Sequence, residues 1–309
     1  MINSQLLTDN LAEQVAVEAI KFYLAPDVVK TLKQMMINDI KKSVEDEKKL
    51  AHDTLFNALF KSLAPFEKKF QAMLKRIWGE EERILIANIK KMKKAWLVKD
   101  KVDDILYPTS IFEKKLEKGA SQICIEVMEK EGPRVVNLYD FDMIFDVQNP
   151  EVTKWLKSYT PMFSEKLEEV NVKRLRATLI EGIEAGEGVP GLTNRVYTLY
   201  KDWGFKRAED IAQNQVIRAS NKAALNVYRQ SGVVEKKIWV THFSPNTCAH
   251  CEQLDGTTIG LEENFFDLGD ESRVEVEGKE QVLKMNYETI DAPPLHNRGR
   301  CTCGPLIEE

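Results

Sequence analysis

Four of the five cysteines in this 309-residue chain lie within its last 62 residues. Cys248 and Cys251 are separated by two residues. After 44 intervening residues, His296, Cys301 and Cys303 follow in the pattern His-x4-Cys-x-Cys. Thiolates and an imidazole in two short-spaced groups are the donor set zinc takes in a tetrahedron, with sulfur at about 2.3 Å and nitrogen at about 2.0–2.1 Å. Two cysteines on one turn can face a single ion, and a second group from elsewhere in the chain completes the shell. Five candidate donors for four positions point to a closed, structural zinc, since a catalytic zinc keeps one position for water. Two other readings stand beside this one. The thiols are ordinary buried cysteines, or Cys248 and Cys251 form a redox pair, which the lack of a βαβ pattern around Cys248 disfavours. Cys124 stands apart from the pattern.

Other reactive groups near the cluster carry less meaning. Glu252 and Asp255 read as solvated carboxylates in a chain with 49 acidic residues. His242 and His250 read as ordinary histidines. Gly-x-Ser-x-Gly, His-Glu-x-x-His and a phosphate loop are all missing from the sequence. The expectation is a protein that is not an enzyme.

Charge adds a second candidate contact. The net charge is −5, but residues 1–135 carry 24 basic and 21 acidic side chains, and residues 41–101 carry 16 and 9. The basic run Lys90, Lys91, Lys93 and Lys94 sits in this segment. A solvated helix face is its ordinary meaning, and a weak, sequence-independent contact with DNA phosphates is the functional alternative. The longest stretch free of formal charge, Ile238–Cys251, has 14 residues and is mostly polar, too short to cross a bilayer. The first residues show no basic and apolar leader pattern, so a soluble intracellular product without a membrane contact is expected.

The elements that must position these groups are mostly helical. Hydrophobic residues at 43% with charged residues at 30% suit a packed core, and the length suggests two domains at about 100–200 residues each. Asn10 and Glu13 have the spacing of a capping box for a first helix ending near Pro26. A second helix starts near Asp27. Leu55, Leu59, Leu63, Phe66, Phe70, Met73 and Ile77 recur at helical steps, with Pro65 expected to kink or restart the run. Gly132-Pro133 reads as a breaker, followed by a short strand or linker over 135–141, which sets the domain boundary between 134 and 135. Asn149 and Pro150 start another helical region. Further helices are expected over roughly 170–185, from Leu192, and over 206–230 with a stop at Gly232. Strands are expected at 237–241 and 282–287, with an acidic, irregular stretch over 262–280 and an extended tail after Pro293-Pro294. The fold class that results is α+β and mostly helical. A helical arm or bundle (1–134) precedes a small α+β C-terminal domain (135–309) stapled by zinc.

The order of motifs from about 140 to 307 resembles the phage head-morphogenesis family, minor head proteins similar to protein F of phage Mu. The residues that carry the resemblance are Ile217-Arg218-Ala219-Ser220-Asn221-Lys222-Ala223 on a helix and Lys237-Ile238-Trp239-Val240 on a strand. The turn Cys248-Ala249-His250-Cys251-Glu252-Gln253-Leu254-Asp255-Gly256 follows, then Pro293-Pro294-Leu295-His296 and Arg300-Cys301. Gly299 stands where many members have a cysteine, and Cys303 is additional. The resemblance implies that Arg300-Cys301 holds the family position. The zinc ligands are then Cys248, Cys251, His296 and Cys301, with Cys303 as the alternate. It further implies a low-copy virion component inside the head near the portal vertex, made in the host cytoplasm. Such a component would associate with the portal protein, and with major capsid, scaffold or viral DNA, and act in head morphogenesis, DNA packaging or delivery. A nucleic-acid-processing or toxin-like enzyme and a zinc-ribbon DNA adaptor are the alternatives from other classes.

Overall fold

The computed structural model describes residues 26–92 and 98–307. The expected first helix at Asn10 lies outside these residues. A mostly helical α+β architecture emerges, as the sequence implies. Helix α1 (Pro26–Lys91) is followed by a 3-10 turn (Lys99–Asp104), α2 (Thr109–Leu138), α3 (Pro150–Glu184) and α4 (Val189–Asp202). A π-helical turn (Trp203–Arg207) leads into α5 (Ala208–Ser231). Then come β1 (Lys236–Val240), the short helix α6 (Ala249–Leu254), β2 (Thr258–Gly260), β3 (Glu271–Val276), β4 (Lys279–Lys284) and β5 (Thr302–Leu306).

By packing, the chain divides after Ser62. The described residues up to Ser62 contribute only helix, on which Phe56 and Leu59 are buried. From Leu63 onward a single compact unit runs to the C-terminus, and the expected boundary at 134/135 falls inside it. Of the apolar repeat read from sequence, Leu63, Phe70, Met73 and Ile77 are buried in this unit. Assigned helix continues through Pro65.

The reading of Gly132-Pro133 as a breaker is corrected: α2 passes through both residues and ends at Leu138. A proline inside a helix costs about 3 kcal/mol, and packing outweighs it here. Helix α2 packs on both α3 and α5, burying Phe112, Leu116, Ile123, Val127, Val135 and Val136. Gly132 is required for that closeness, because a Cβ there would lie 2.1 Å from the Phe145 ring. The helix expected over 170–185 is likewise the second half of a longer one. Helix α3 starts where Asn149 caps it, its side chain accepting from the Glu151 N–H at 2.9 Å, with Pro150 at the first position. Helix α5 stops at Gly232, whose φ of 68° needs no Cβ.

Strand β1 is the centre of a three-stranded antiparallel sheet in the order β2-β1-β5. Trp239 pairs with Cys303 and Ile238 with both Gly304 and Thr258. The stretch read as irregular contains a hairpin instead. Strands β3 and β4 pair across Glu277-Gly278, both at positive φ, as a two-residue hairpin loop demands.

Among the helices from α1 to the π turn lies a buried acid pair. Glu81 and Glu168 are 0% and 1% exposed. Tyr107 and Tyr200 donate to Glu81 Oε2 at 2.9 and 3.2 Å, and Asn171 donates to Glu168 Oε1 at 2.9 Å. The remaining oxygens, Glu81 Oε1 and Glu168 Oε2, have no other partner. Burial, reinforced by the charge of Glu168, pushes the Glu81 carboxyl far up, and burial raises Glu168 as well. The two orphaned oxygens are satisfied if the pair shares a proton. The folded state then keeps a proton that the unfolded chain releases above pH 4.5. This contribution to stability is complete below that value and is lost as the pH rises through and above neutrality. Glu81→Gln supplies a permanent donor to Glu168 and retains an acceptor for the tyrosines. Melting temperatures followed from about pH 6 to about pH 9 should fall less steeply for this variant, the difference at the alkaline end being on the order of 1–3 kcal/mol. Parallel profiles would show that no proton is shared.

Candidate metal centre

Cys248 caps α6, its Sγ accepting from the Cys251 N–H at 3.4 Å, so the Cys-x-x-Cys spacing becomes one helical turn with both sulfurs on one side. His296 approaches from the tail. Its Nε2 lies 2.9 Å from Cys248 Sγ and 3.4 Å from Cys251 Sγ. Its Nδ1 lies 2.7 Å from the Asn297 carbonyl. That contact assigns the ring proton to Nδ1 and leaves the Nε2 lone pair facing the sulfurs, the usual arrangement of a ligating histidine. The three donor atoms all lie within 4.8 Å of one another.

Cys301 joins them through Cys251. The neighbouring Cys251 thiol holds the Cys301 thiol down to about 7. The Cys251 side chain lowers Cys248 likewise, and Cys251, set between the two other thiols, is pushed up. Three thiols thus compete for protons in a half-buried site, and an adjacent cation relieves that competition. Trp239, Leu254, Met285, Ile290 and Leu295 pack around Cys251 and Cys301 and keep water from that side. In a tetrahedral zinc site, neighbouring sulfur and nitrogen donors stand about 3.6 Å apart. The Cys251–His296 pair meets that spacing, and the Cys248–His296 pair opens by about 0.7 Å to reach it. Cys248, Cys251 and His296 could together hold a metal ion, with Cys301 next to Cys251 outside the group of three.

Cys303 lies elsewhere. It is buried among groups that include Lys237 and Asp291, and burial pushes its thiol up to about 12. Its carbonyl accepts from the Tyr228 hydroxyl at 2.9 Å. Strand alternation does not bring it beside Cys301, because β5 begins at Thr302 and Cys301 belongs to the turn before it. Cys124 is buried in α2, where desolvation raises its thiol to about 12. The carboxylates and histidines near the cluster have plain roles or open positions. His250 Nδ1 contacts Ser272 Oγ at 2.8 Å, Asp255 Oδ1 accepts from the Thr241 N–H at 2.8 Å, and Glu252 is exposed. His242 is half-buried. Lys90 and Lys91 are exposed in the last turn of α1, where cations complement the helix dipole. Lys93 and Lys94 lie outside the described residues.

What sequence reasoning missed is the positioning role of residues on α5, since Arg218, Asn221 and Lys222 enter it only through the resemblance. Helix α5 reaches the tail with short polar side chains from an otherwise alanine-rich buried face. Asn214 Nδ2 donates to the His296 carbonyl at 3.1 Å, and Asn221 Nδ2 donates to the Cys301 carbonyl at 3.0 Å. Thr302 Oγ1 donates back to Asn221 Oδ1 at 2.8 Å. Arg218 pairs with Glu288 at 2.7 Å, and Lys222 pairs with Asp291. The signal was present: Asn214, Arg218 and Asn221 recur at four- and three-residue steps among alanines, a polar stripe on a face that must be buried.

The same residues carry the relationship to known proteins. Residues 173–303 match the family model of phage Mu protein F like protein. This region belongs to that family. The match takes in the last third of α3, all of α5, the three clustered donors and Cys301. The chain is also similar to an uncharacterized protein of Bacillus subtilis (strain 168), YqbB, at 23% identity over 162 residues. That alignment covers 52% of this chain and 53% of the relative, so the chain spans about half the length of the curated relative it matches. No solved structure matches. The family points to a phage head-related protein. No helix among the described residues is long and apolar enough to cross a membrane.

Asn221→Ala removes the donor to the Cys301 carbonyl and the acceptor of Thr302 in one step. Leaving buried polar groups unpaired costs about 1–3 kcal/mol each. Denaturant unfolding should show a loss on that order, while Asn264→Ala, on an exposed loop, should show none. Equal midpoints for both variants would remove Asn221 from the support of the site.

Proposed function

We propose that the chain is a minor head protein of a phage virion, a low-copy structural component that joins the portal during assembly and acts in head morphogenesis or DNA delivery. The observation that carries this reading is the family match over 173–303, which coincides with the helix, strand and Cys/His turn that form one interlocked unit. On this reading the protein works by docking, not by turnover. The major capsid or scaffold protein and viral DNA are further contacts, the latter through Lys90 and Lys91 with the neighbouring Lys93 and Lys94.

The C-terminal region is held closed by structural zinc on Cys248, Cys251, His296 and Cys301. A structural zinc contributes about 10–16 kcal/mol of apparent binding energy at neutral pH, comparable with the whole stability of a domain. The ion would cross-link α6 to the tail, two segments otherwise joined by apolar packing. Elemental analysis of protein purified without chelator should find about one zinc per chain. Cys251→Ser should abolish it, Cys301→Ser should weaken it strongly, and Cys303→Ser and Cys124→Ser should retain it. Metal-free protein with the tail still protected from proteolysis would exclude the zinc. Metal lost in Cys303→Ser but kept in Cys301→Ser would exclude Cys301 as the fourth ligand.

Association with the portal is tested by co-expression with the portal protein of the same phage and size exclusion. Co-elution that survives moderate salt is expected. Separate elution at every salt concentration would defeat the partner assignment.

A further inference from the structure

Between α3, the π turn and α5 on one side and the tail around Tyr287 on the other runs an open cleft of about 830 Å³. We infer that this cleft binds an acidic peptide segment of a partner protein, with an apolar side chain seated between its walls. This inference rests on the cleft alone and does not depend on the portal reading.

Charge is the first argument. Lys166, Arg174, Lys206, Arg207, Arg218 and Lys284 line the cleft against three acids, Asp202, Asp210 and Glu288. Asp210 is paired with Arg298, Glu288 with Arg218, and Lys284 with Glu271, while Arg207 is held by Asn171 and two indole faces, which leaves Lys166, Arg174 and Lys206 against Asp202. Arg174 and Lys206 are exposed and form no ion pair among the described residues. The cleft is therefore a cationic concavity in a region of the sequence that is acidic overall, with residues 136–309 carrying 20 basic and 28 acidic side chains.

Unmet donors are the second argument. Arg218 is 5% exposed and Trp203 2% exposed, both line the cleft, and neither Arg218 Nε nor Trp203 Nε1 has a hydrogen-bond partner. Buried donors of this kind call for an acceptor. The two atoms are themselves buried, so a carboxylate or a peptide carbonyl seated in the cleft meets them once the side chains turn toward it.

The walls decide which anion. Phe163, Leu167 and Ile211 give the cleft apolar surface suited to an aliphatic side chain. Nucleic acid would need open aromatic faces for its bases, and those of Trp203 and Tyr159 are taken. Trp203 is covered by Trp78, by Tyr200 and by the Arg207 guanidinium at 4.6 Å. Tyr159 is stacked on Trp155 at 5.0 Å and lies under Arg218. What remains open is apolar depth with a cationic rim, which an acidic and apolar peptide fits.

The test uses the full chain and a short fluorescent peptide alternating Glu with Leu, followed by anisotropy. A Glu/Ser peptide of equal charge and a single-stranded oligothymidylate are the comparison probes. The Glu/Leu peptide should bind best, and its affinity should fall as salt rises. Arg174→Glu with Lys206→Glu, both on the exposed rim, should weaken it about tenfold or more. Lys118→Glu, on α2 and away from the cleft, should leave it unchanged. The inference is overturned if the Glu/Leu peptide does not bind, if oligothymidylate binds more tightly, or if the rim variant binds as the parent does. Circular dichroism of each variant separates loss of binding from loss of fold.

Discussion

Everything around the Cys/His cluster depends on a few hydrogen bonds from one buried helix to the backbone of the tail. Helix α5 offers Asn214, Asn221 and Tyr228 to the carbonyls of His296, Cys301 and Cys303. Each such bond contributes only about 1 kcal/mol net, but a buried carbonyl left without a donor costs more. Sliding the tail by one residue would orphan all three acceptors and turn the strand's side chains to the opposite face. The register that pairs Trp239 with Cys303 is fixed in this way, and with it the position of the Cys301 thiol beside Cys251. The side chains are short because α5 is alanine-rich, so helix and tail approach closely enough for an asparagine to reach.

How much of this the sequence disclosed follows from the range of each interaction. The Cys-x-x-Cys turn, the Asn149 cap and the Gly232 stop rest on neighbours in the chain, and the structure has them where the spacing implies. Gly132-Pro133 was misread because its local cost is real. What outweighs it is burial of Val135 and Val136 in the compact unit and a Phe145 ring against the bare Gly132 Cα, none of which is visible from nearby residues. The β3–β4 hairpin was missed for a related reason. Its strands alternate charged and short polar residues with few apolar ones, so the period of two carries little hydrophobic contrast, and the Glu277-Gly278 turn was the only strong signal. Cys303, the alternate ligand, is turned away from the cluster, and an alternating side-chain period would place Cys301 and Cys303 on one face only if both lay in the strand. Cys301 sits one residue before the strand starts.

The unit beginning at Leu63 meets one physical problem in two places, and the two solutions differ with the chemistry of the groups. Like-charged acids gathered out of water cannot all ionise. At Glu81 and Glu168 the groups are carboxyls, nine-tenths or more buried, walled by tyrosines and by an Arg207 whose own charge is committed to Asn171 and to two indole faces. A proton is the cation that fits so small a gap, and sharing one satisfies both free oxygens. At the cluster the acids are thiols. Sulfur is large and soft, the site is open on the Cys248 side, and an imidazole lone pair points inward instead of a donor. A proton serves that geometry poorly, since three thiols and a neutral histidine offer more lone pairs than their protons can occupy. A divalent ion of tetrahedral habit takes four at once. The helices therefore close on a proton, which any solution supplies, while on the proposed reading the tail closes on a metal, which must be acquired.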